Sequence, residues 1–274
     1  MDPDSSVMRR LARPSEHDCF SKDRKSEGNA MKNAAVLIAP GFEEGETMTI
    51  VDILRRCDIH CTIYGTSKEV EGAHHIVLKS DAPISYDVLE NDMVILPGGY
   101  GQADAMRENE EVQHILKQMA KDNKYVCAMC ASPIALEKAG LLENRRYTAY
   151  QGYNEKIKAG QYEKKAVVTD GHLVTAGGPA CAYAFAYTLA DLLILPGDRP
   201  GGANLANDPR ASELVRSFDA QNKYLGALVE VDQNLITSQG PASPYPFAFR
   251  IMELFGVDPA PFRHALMYDL AKGR

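Results

Sequence analysis

The sequence lacks any apolar run long enough to span a membrane. Its longest apolar stretches, DMVILPGG and YAFAYTLADLLILPG, are interrupted by Asp, Pro or Gly well before the roughly 20 residues that a bilayer requires. It also lacks a block of Lys and Arg with interleaved aromatics, and its formal net charge is −7. We therefore expect no membrane partner and no nucleic-acid surface, and favour a small-molecule or protein partner.

A secretory signal is not recognisable, and the six cysteines lie mostly in apolar segments: Cys19, Cys57, Cys61, Cys127, Cys130 and Cys181. This pattern predicts reduced thiols in a cytoplasmic protein. Residues 1–32 are polar and aperiodic, which predicts a disordered leader. A mitochondrial transit peptide is disfavoured because such peptides avoid acidic residues, whereas this segment contains Asp2, Asp4, Glu16, Asp18, Asp23 and Glu27.

From residue 33 onward, predicted strands alternate with predicted helices. The strands are AAVLIAP, HCTIYG, DMVILPGG and KYVCAM, and the helices between or after them are EGETMTIVDILRRC, NEEVQHILKQMAKD and SPIALEKAG. A short strand at YTAY, a hairpin with an Asp-Gly turn and a closing helix follow. The pattern predicts one α/β domain over residues 33–193, with a parallel sheet and helices on both faces.

Three loops leave the carboxyl ends of these strands, where open α/β sheets bind ligands. They are PGFEEGE, PGGYG and CASP. Each contains reactive side chains or glycines that expose backbone N–H groups. We expect a functional site where the three loops meet.

Cys130 lies at a strand-to-helix turn, and two interpretations of it compete. Buried structural cysteines are common, but a thiol at a helix N-terminus is activated by the free N–H groups there, which lower its pKa. We favour a nucleophile. Cys127 lies inside the strand, so it is predicted to be a core residue, and no second cysteine pair supports a metal site, because Cys57 and Cys61 are separated by a helix end.

Three acids begin the first helix, and acids in a first turn ordinarily complement the helix dipole. We expect that explanation for two of Glu43, Glu44 and Glu46, and a buried proton carrier for one. Gly98 and Gly99 either form a simple turn or expose N–H groups that, with Ala131, make an oxyanion hole. His172, on the predicted hairpin, is expected to be solvated.

These pieces together resemble the ThiJ/PfpI superfamily, and most closely its deglycase branch. The matching motifs are VLIAPGFEEGET, DMVILPGGYG, AMCASPIAL and LVTAGGPACAYAFA. The resemblance implies a flavodoxin-like, doubly wound sandwich that is often dimeric and needs no cofactor and no metal. It also implies glyoxalase III activity on methylglyoxal, reversal of early glycation, or redox sensing through cysteine oxidation.

The resemblance assigns roles to individual residues. Cys130 matches the family's nucleophile, Glu46 its partner carboxyl, and the backbone donors match Gly98, Gly99 and Ala131; a pocket around Tyr150, Gly178 and Pro179 is also implied. Peptidase-like members have His after the cysteine, so Ala131 argues against proteolysis. Several relatives carry His where this chain has Tyr150, so the proton transfer would depend more heavily on Glu46.

The C-terminal segment resembles a truncated second copy of the domain. Residues 191–228 align on 92–129 with 9 identities in 38 positions, and residues 229–255 align on 167–193 with 11 in 27. The counterpart of 130–166 is missing, so residues 194–274 have no cysteine that corresponds to Cys130 at the strand-to-helix turn. About 80 residues without half of the elements cannot bury a separate core. We expect the segment to pack on the first domain or to remain loosely ordered, and the helix of the first copy to include 191–193.

Three functional hypotheses follow. The leading one is a cofactor-independent enzyme in which the Cys130 thiolate attacks a 2-oxoaldehyde or an early glycation adduct. The second is a non-enzymatic redox sensor or chaperone that works through oxidation of Cys130. The third is an inactive scaffold, which the broken second copy favours and the complete first site disfavours.

Overall fold

The computed structural model describes residues 32–193, 229–232, 235–238 and 243–271. Residues 1–31 of the predicted leader, and 194–228 of the predicted second copy, lie outside the described residues.

The strands are β1 (Asn33–Ile38), β2 (His60–Gly65), β3 (Glu69–Glu71), β4 (Val77–Lys79), β5 (Ala82–Pro83), β6 (Met93–Leu96), β7 (Tyr125–Met129), β8 (Arg146–Tyr147), β9 (Gln161–Tyr162), β10 (Val167–Asp170), β11 (Leu173–Ala176), β12 (Val229–Asp232) and β13 (Leu235–Ser238). The helices are α1 (Glu44–Arg56), α2 (Tyr100–Glu108), α3 (Glu110–Lys121), α4 (Pro133–Lys138), α5 (Tyr153–Lys156), α6 (Ala182–Leu193), α7 (Pro244–Leu254), α8 (Ala260–Ala265) and α9 (Tyr268–Ala271). Single 3-10 turns occupy Tyr86–Glu90 and Pro179–Cys181.

Seven strands form the central sheet in the order β10-β11-β7-β6-β1-β2-β5. Only the edge strand β10 runs antiparallel to its neighbour within this sheet. Val36 of β1 lies opposite Ile63 of β2 and Ile95 of β6. Flanking helices complete the layers, with α1 packed against α6 and α2 against α4. The predicted flavodoxin-like α/β fold is confirmed.

The core explains why these segments take these forms. Residues 34–38 in β1 are fully buried, as expected for a central parallel strand covered on both sides. Helix α1 instead buries one face, which includes Ile50, Val51 and Leu54. Each such aliphatic side chain contributes about 1.5–3 kcal/mol when fully buried. Helix α6 extends to Leu193, as the sequence predicts for residues 191–193.

The described part of the C-terminal segment begins with an antiparallel pair, β12 and β13, and continues with α7. This order of elements matches the aligned residues 167–193, although the relation to a second copy stays a prediction. The chain from 243 to 271 packs on the first domain. Phe249 and Tyr268 form a small apolar cluster with Ala180, and the Ala180 N–H donates to the Leu266 carbonyl over 3.0 Å.

Candidate active site

Cys130 is the first residue after β7 and adopts a left-handed backbone conformation, with φ of +60°. A residue with a Cβ is unfavourable there by roughly 1–2 kcal/mol, and two backbone hydrogen bonds hold the turn. The Cys130 N–H donates to the Ala176 carbonyl at the end of β11 over 3.0 Å, and its carbonyl accepts from the Tyr150 N–H over 2.8 Å. The side chain is thereby fixed at the carboxyl edge of the sheet.

Cys127 lies three residues earlier, within β7, and is fully buried. Burial raises the pKa of its thiol well above the ordinary value. Its environment is that of a core residue, as the sequence predicts.

The three acids at the start of α1 have different partners. The Glu43 carboxylate caps the helix by accepting from the Glu46 N–H over 2.5 Å. Glu44 accepts from the His74 N–H over 2.6 Å and lies 2.9 Å from His74 Nδ1. Glu46 points inward and is fully buried. The helix start and a neighbouring loop therefore account for two of the acids.

Glu46 reaches Cys130 across the strand ends. Its carboxyl and the Cys130 side chain both lie against Gly98, and its Oε2 accepts from the Gly98 N–H over 2.6 Å. Oε1 has no hydrogen-bond partner among the residues that the structure describes. A methyl group on Gly98 would lie 2.3 Å from the Cys130 Cβ and 2.4 Å from Oε2. Only glycine lets the carboxyl and the thiol approach each other at this point.

The sequence predicts that the N–H groups of Gly98, Gly99 and Ala131 act together in an oxyanion hole, but they have different surroundings in the structure. The Gly98 N–H is engaged by Glu46, so its assignment to an oxyanion hole is wrong in this arrangement. The Gly99 N–H lies near enough to the Cys130 thiol to act against the rise in its pKa, and Ala131, the residue after Cys130, is fully buried. Gly99 adopts φ of +102°, and a methyl group there would lie 2.1 Å from the Gly41 carbonyl oxygen, which explains the glycine.

The electrostatics of the pair favour bound protons. Burial, and then the charge of Glu43, raise the pKa of Glu46 well above its ordinary value. Burial also raises the pKa of the Cys130 thiol, an ionised Glu46 adds to this, and the Gly99 N–H acts in the opposite direction. The prediction that a helix N-terminus lowers this thiol pKa is therefore wrong. Cys130 is only 4% exposed, and α4 is short and begins three residues later, at Pro133.

Tyrosines that the sequence analysis missed lie beside the predicted pocket residue Tyr150. The rings of Tyr100 and Tyr153 stack with centroids 5.4 Å apart, and Tyr100 contacts Tyr150 edge-on at 6.1 Å. Burial, followed by the hydrogen bond to Tyr100, raises the pKa of Tyr150 to about 12. These residues sit at the start of α2 and α5, a placement with no distinctive sequence signal.

The remaining pocket residues, Gly178 and Pro179, begin the 3-10 turn after β11. A methyl group on Gly178 would lie 2.9 Å from the sulfur of Met267 and 3.1 Å from the Tyr150 ring. Pro179 is buried. The structure thus places this turn next to Tyr150 and covers it with Met267 of the C-terminal segment.

Within the described ranges, one group of side chains has the ligand types and spacing to hold a metal ion, and it is Glu43, Glu44 and His74. Glu44 and His74 are already hydrogen-bonded to each other, and the Glu43 carboxylate is engaged by the Glu46 N–H. The five cysteines of the described residues are free thiols: Cys57, Cys61, Cys127, Cys130 and Cys181. His172 is exposed, as predicted.

The DJ-1/PfpI family model matches residues 32–191. The chain belongs to the DJ-1/PfpI family. It is 32% identical over 167 residues to protein dj-1beta of Drosophila melanogaster, covering 59% of this chain and 89% of that protein. It is 31% identical over 194 residues to the Parkinson disease protein 7 homolog of Danio rerio, covering 68% and 99% respectively.

Solved structures give the same result. The crystal structure of Drosophila melanogaster DJ-1beta matches with a TM-score of 0.58 and 30% identity over 69% of this chain and 98% of that chain. The structure of oxidized Toxoplasma gondii DJ-1 matches with a TM-score of 0.57 and 25% identity over 71% and 99%. Proteins of this family are often homodimers. In the described part of this chain, none of the helices has both the length and the apolar character to cross a membrane.

Proposed function

We propose that the protein is a cysteine-dependent, cofactor-independent enzyme of the glyoxalase III and deglycase type, which acts on methylglyoxal or on early glycation adducts. The catalytic domain is residues 33–193, and residues 194–274 are a truncated second copy. One observation carries the proposal: a fully buried carboxyl, Glu46, and the side chain of Cys130 both lie against Gly98, beside the strained turn at Cys130. Its free thiols support a cytoplasmic location.

The reaction begins with addition of Cys130 to the aldehyde carbon of methylglyoxal. The S–C bond forms, the thiol proton passes to the aldehyde oxygen, and a hemithioacetal results. The developing negative charge on oxygen is stabilised by the N–H groups of Gly99 and Ala131. The Gly98 N–H has a different role, because it holds the Glu46 carboxyl in place.

Glu46 then moves a proton between neighbouring carbons. The ionised fraction of Glu46 is the base. Its raised pKa makes that carboxylate a stronger base, and Oε1, which lacks a partner among the described residues, accepts the proton from C1. Delivery of this proton to C2 converts the enediol into the Cys130 thioester of lactate. Water cleaves the thioester, releases lactate and restores the thiol. The sum is methylglyoxal plus water to lactate, with no net oxidation or reduction.

The first experiment measures lactate formed from methylglyoxal without glutathione. We expect the full chain to produce lactate and Cys130→Ser to produce none, with Cys127→Ala as the matched control that retains activity. Lactate formation by Cys130→Ser would contradict the assigned nucleophile.

A second experiment tests Glu46 by running the reaction in D₂O. A carboxyl that exchanges its proton with solvent places deuterium at C2 of lactate, whereas a direct hydride shift does not. We expect deuterated lactate from the wild type and loss of turnover in Glu46→Gln. Undiminished turnover in that variant would exclude the proton-transfer role.

A second candidate function is redox sensing through Cys130. The oxidized state of the Toxoplasma gondii relative favours it, as does a carboxyl positioned to hydrogen-bond an oxidised sulfur. Peroxide would convert the thiolate to a sulfenate with release of water, and a second equivalent would give the sulfinate. Mass spectrometry after mild peroxide tests this. Selective oxidation of Cys130 over the other five thiols supports sensing, and unselective oxidation argues against it.

A further inference from the structure

The C-terminal strap, defined as residues 243–271, contacts three parts of the chain that surround Cys130. The first contact runs through Tyr150. Its N–H donates to the Cys130 carbonyl over 2.8 Å, and its hydroxyl donates to the Ala265 carbonyl over 2.9 Å. A single residue, Tyr150, therefore connects the strap to the nucleophile through two hydrogen bonds.

The second contact is Met267, which lies over the glycine turn after β11. Methyl groups on Gly177 and Gly178 would lie 3.1 Å from Met267 Cε and 2.9 Å from its Sδ respectively. Met267 is buried and adopts φ of +55°. Gly177 follows Ala176, whose carbonyl accepts from the Cys130 N–H. The Met267 side chain therefore covers the edge of the sheet next to the turn at Cys130.

The third contact is Tyr245, which reaches the acidic start of α1. Its hydroxyl would lie 3.4 Å from a methyl group on Gly45. Burial, and then the charges of Glu43 and Glu46, raise the pKa of Tyr245. The strap thus approaches the Glu46 side of the site as well as the Cys130 side.

An aromatic cluster anchors the strap. Phe249 and Tyr268 meet edge-to-face with centroids 5.0 Å apart, both are buried, and both pack with Ala180. Aromatic pairs of this geometry contribute about 0.5–1.5 kcal/mol beyond their buried area. The strap is therefore packed in place, and Cys130, which is hydrogen-bonded to Tyr150 and to the strand end that the strap contacts, is 4% exposed.

We propose that the C-terminal strap sets an upper size limit on the substrate, with Met267 as a specificity-determining residue. The site admits a methyl-sized, free 2-oxoaldehyde and excludes 2-oxoaldehydes with a bulky substituent, as well as adducts attached to a peptide or protein. Of the two substrate classes in the proposed function, on which this inference rests, the strap selects the free aldehyde.

The kinetic test uses the full chain and two aldehydes, methylglyoxal and phenylglyoxal, with lactate and mandelate as products. A single pocket contact changes discrimination by about 10–200-fold. We expect the wild type to prefer methylglyoxal by at least about tenfold, and Met267→Gly to reduce that preference by about tenfold. Glycine at this position tolerates the positive φ, so the variant removes the side chain without adding backbone strain.

The matched control is Phe255→Ala, on the same strap, whose side chain is 82% exposed. We expect it to leave the preference unchanged. Equal use of both aldehydes by the wild type, or an unchanged preference in Met267→Gly, would overturn the size limit.

A labelling experiment separates this inference from the proposed function, because it needs no turnover. Cys130 is alkylated with N-ethylmaleimide and with fluorescein maleimide, and modification is located by mass spectrometry. We expect the bulky reagent to react poorly with the wild type and about tenfold faster, relative to the small one, in Met267→Gly and in the anchor variant Phe249→Ala. Similar relative rates in all three folded proteins would refute the strap's role, even if lactate forms. The expected labelling without lactate would refute only the proposed enzyme.

Discussion

Replacing Glu46 by Gln removes a titratable proton from a fully buried position while keeping the shape of the side chain. Burial and Glu43 raise the pKa of Glu46 well above its ordinary value of 4.5. The stability that the protonated carboxyl contributes is therefore fully present below that ordinary value and is lost as the pH rises toward the folded-state pKa. Gln does not titrate, so the variant becomes more stable relative to the wild type as the pH rises.

The magnitude follows from proton linkage. One group that binds a proton in the folded state but not in the unfolded state changes the free energy of unfolding by about 1.4 kcal/mol per pH unit. Between pH 4.5 and 6.5 we expect the unfolding free energy of Glu46→Gln to rise relative to that of the wild type, with a slope that approaches about 1.4 kcal/mol per pH unit once the unfolded carboxyl is ionised. Constant offsets, such as an altered contact with Cys130, do not affect this slope.

The assay is urea unfolding of both full-length proteins at pH 4.5, 5.5 and 6.5. A difference in unfolding free energy that stays the same at all three values would refute the buried, protonated carboxyl. Glu44→Gln is the control from the same helical turn. Burial opposes, but the hydrogen bonds from His74 outweigh it and lower the pKa of Glu44 below 4.5. The stability that this carboxylate contributes is therefore complete above that value, so the difference between Glu44→Gln and the wild type should change little from pH 5.5 to 6.5.

Three further predictions concern the same edge of the sheet. Gly98→Ala places a methyl 2.3 Å from the Cys130 Cβ, so it should lower the free energy of unfolding by about 1–3 kcal/mol and abolish most of the lactate production. Gly140→Ala, where a methyl meets nothing within 4 Å, should keep activity. Gln102→Leu leaves the buried N–H of Ala39 without its acceptor and should cost about 1–3 kcal/mol in urea unfolding; a loss below about 0.5 kcal/mol would contradict this. Burial raises the pKa of Cys130 above 9.0, so its alkylation by iodoacetamide should still accelerate above pH 9, and a plateau near pH 7 would contradict it.

Local sequence patterns were enough to predict the fold and the meeting point of the site. Parallel strands end at one edge, so loops that follow β1, β6 and β7 had to lie side by side once the alternation was recognised. The same logic distinguished Cys130, at the turn, from Cys127, within the strand. It also predicted that two of the three acids in α1 serve the helix and its surroundings.

Long-range packing decided the features that the sequence analysis missed. The direction of the Cys130 pKa shift depends on burial beneath other elements, which the position at a helix start does not reveal. Tyr150 and Ala265 are 115 positions apart, and no periodicity connects them. The loss of Gly98 as an oxyanion donor depends on where one carboxyl oxygen points, and only a folded arrangement determines that.

Because the strap follows the site in the chain, the ribosome makes the site before it makes the strap. The sheet, Cys130 and Glu46 all precede residue 194, whereas Met267 and Tyr268 are added only after residues 194–266. At about 5–20 residues per second, a ribosome needs about 4–15 s to add the 75 residues from 193 to 268. Throughout that interval the nascent chain carries its thiol without its cover, so newly made molecules are more exposed to cellular electrophiles than finished ones.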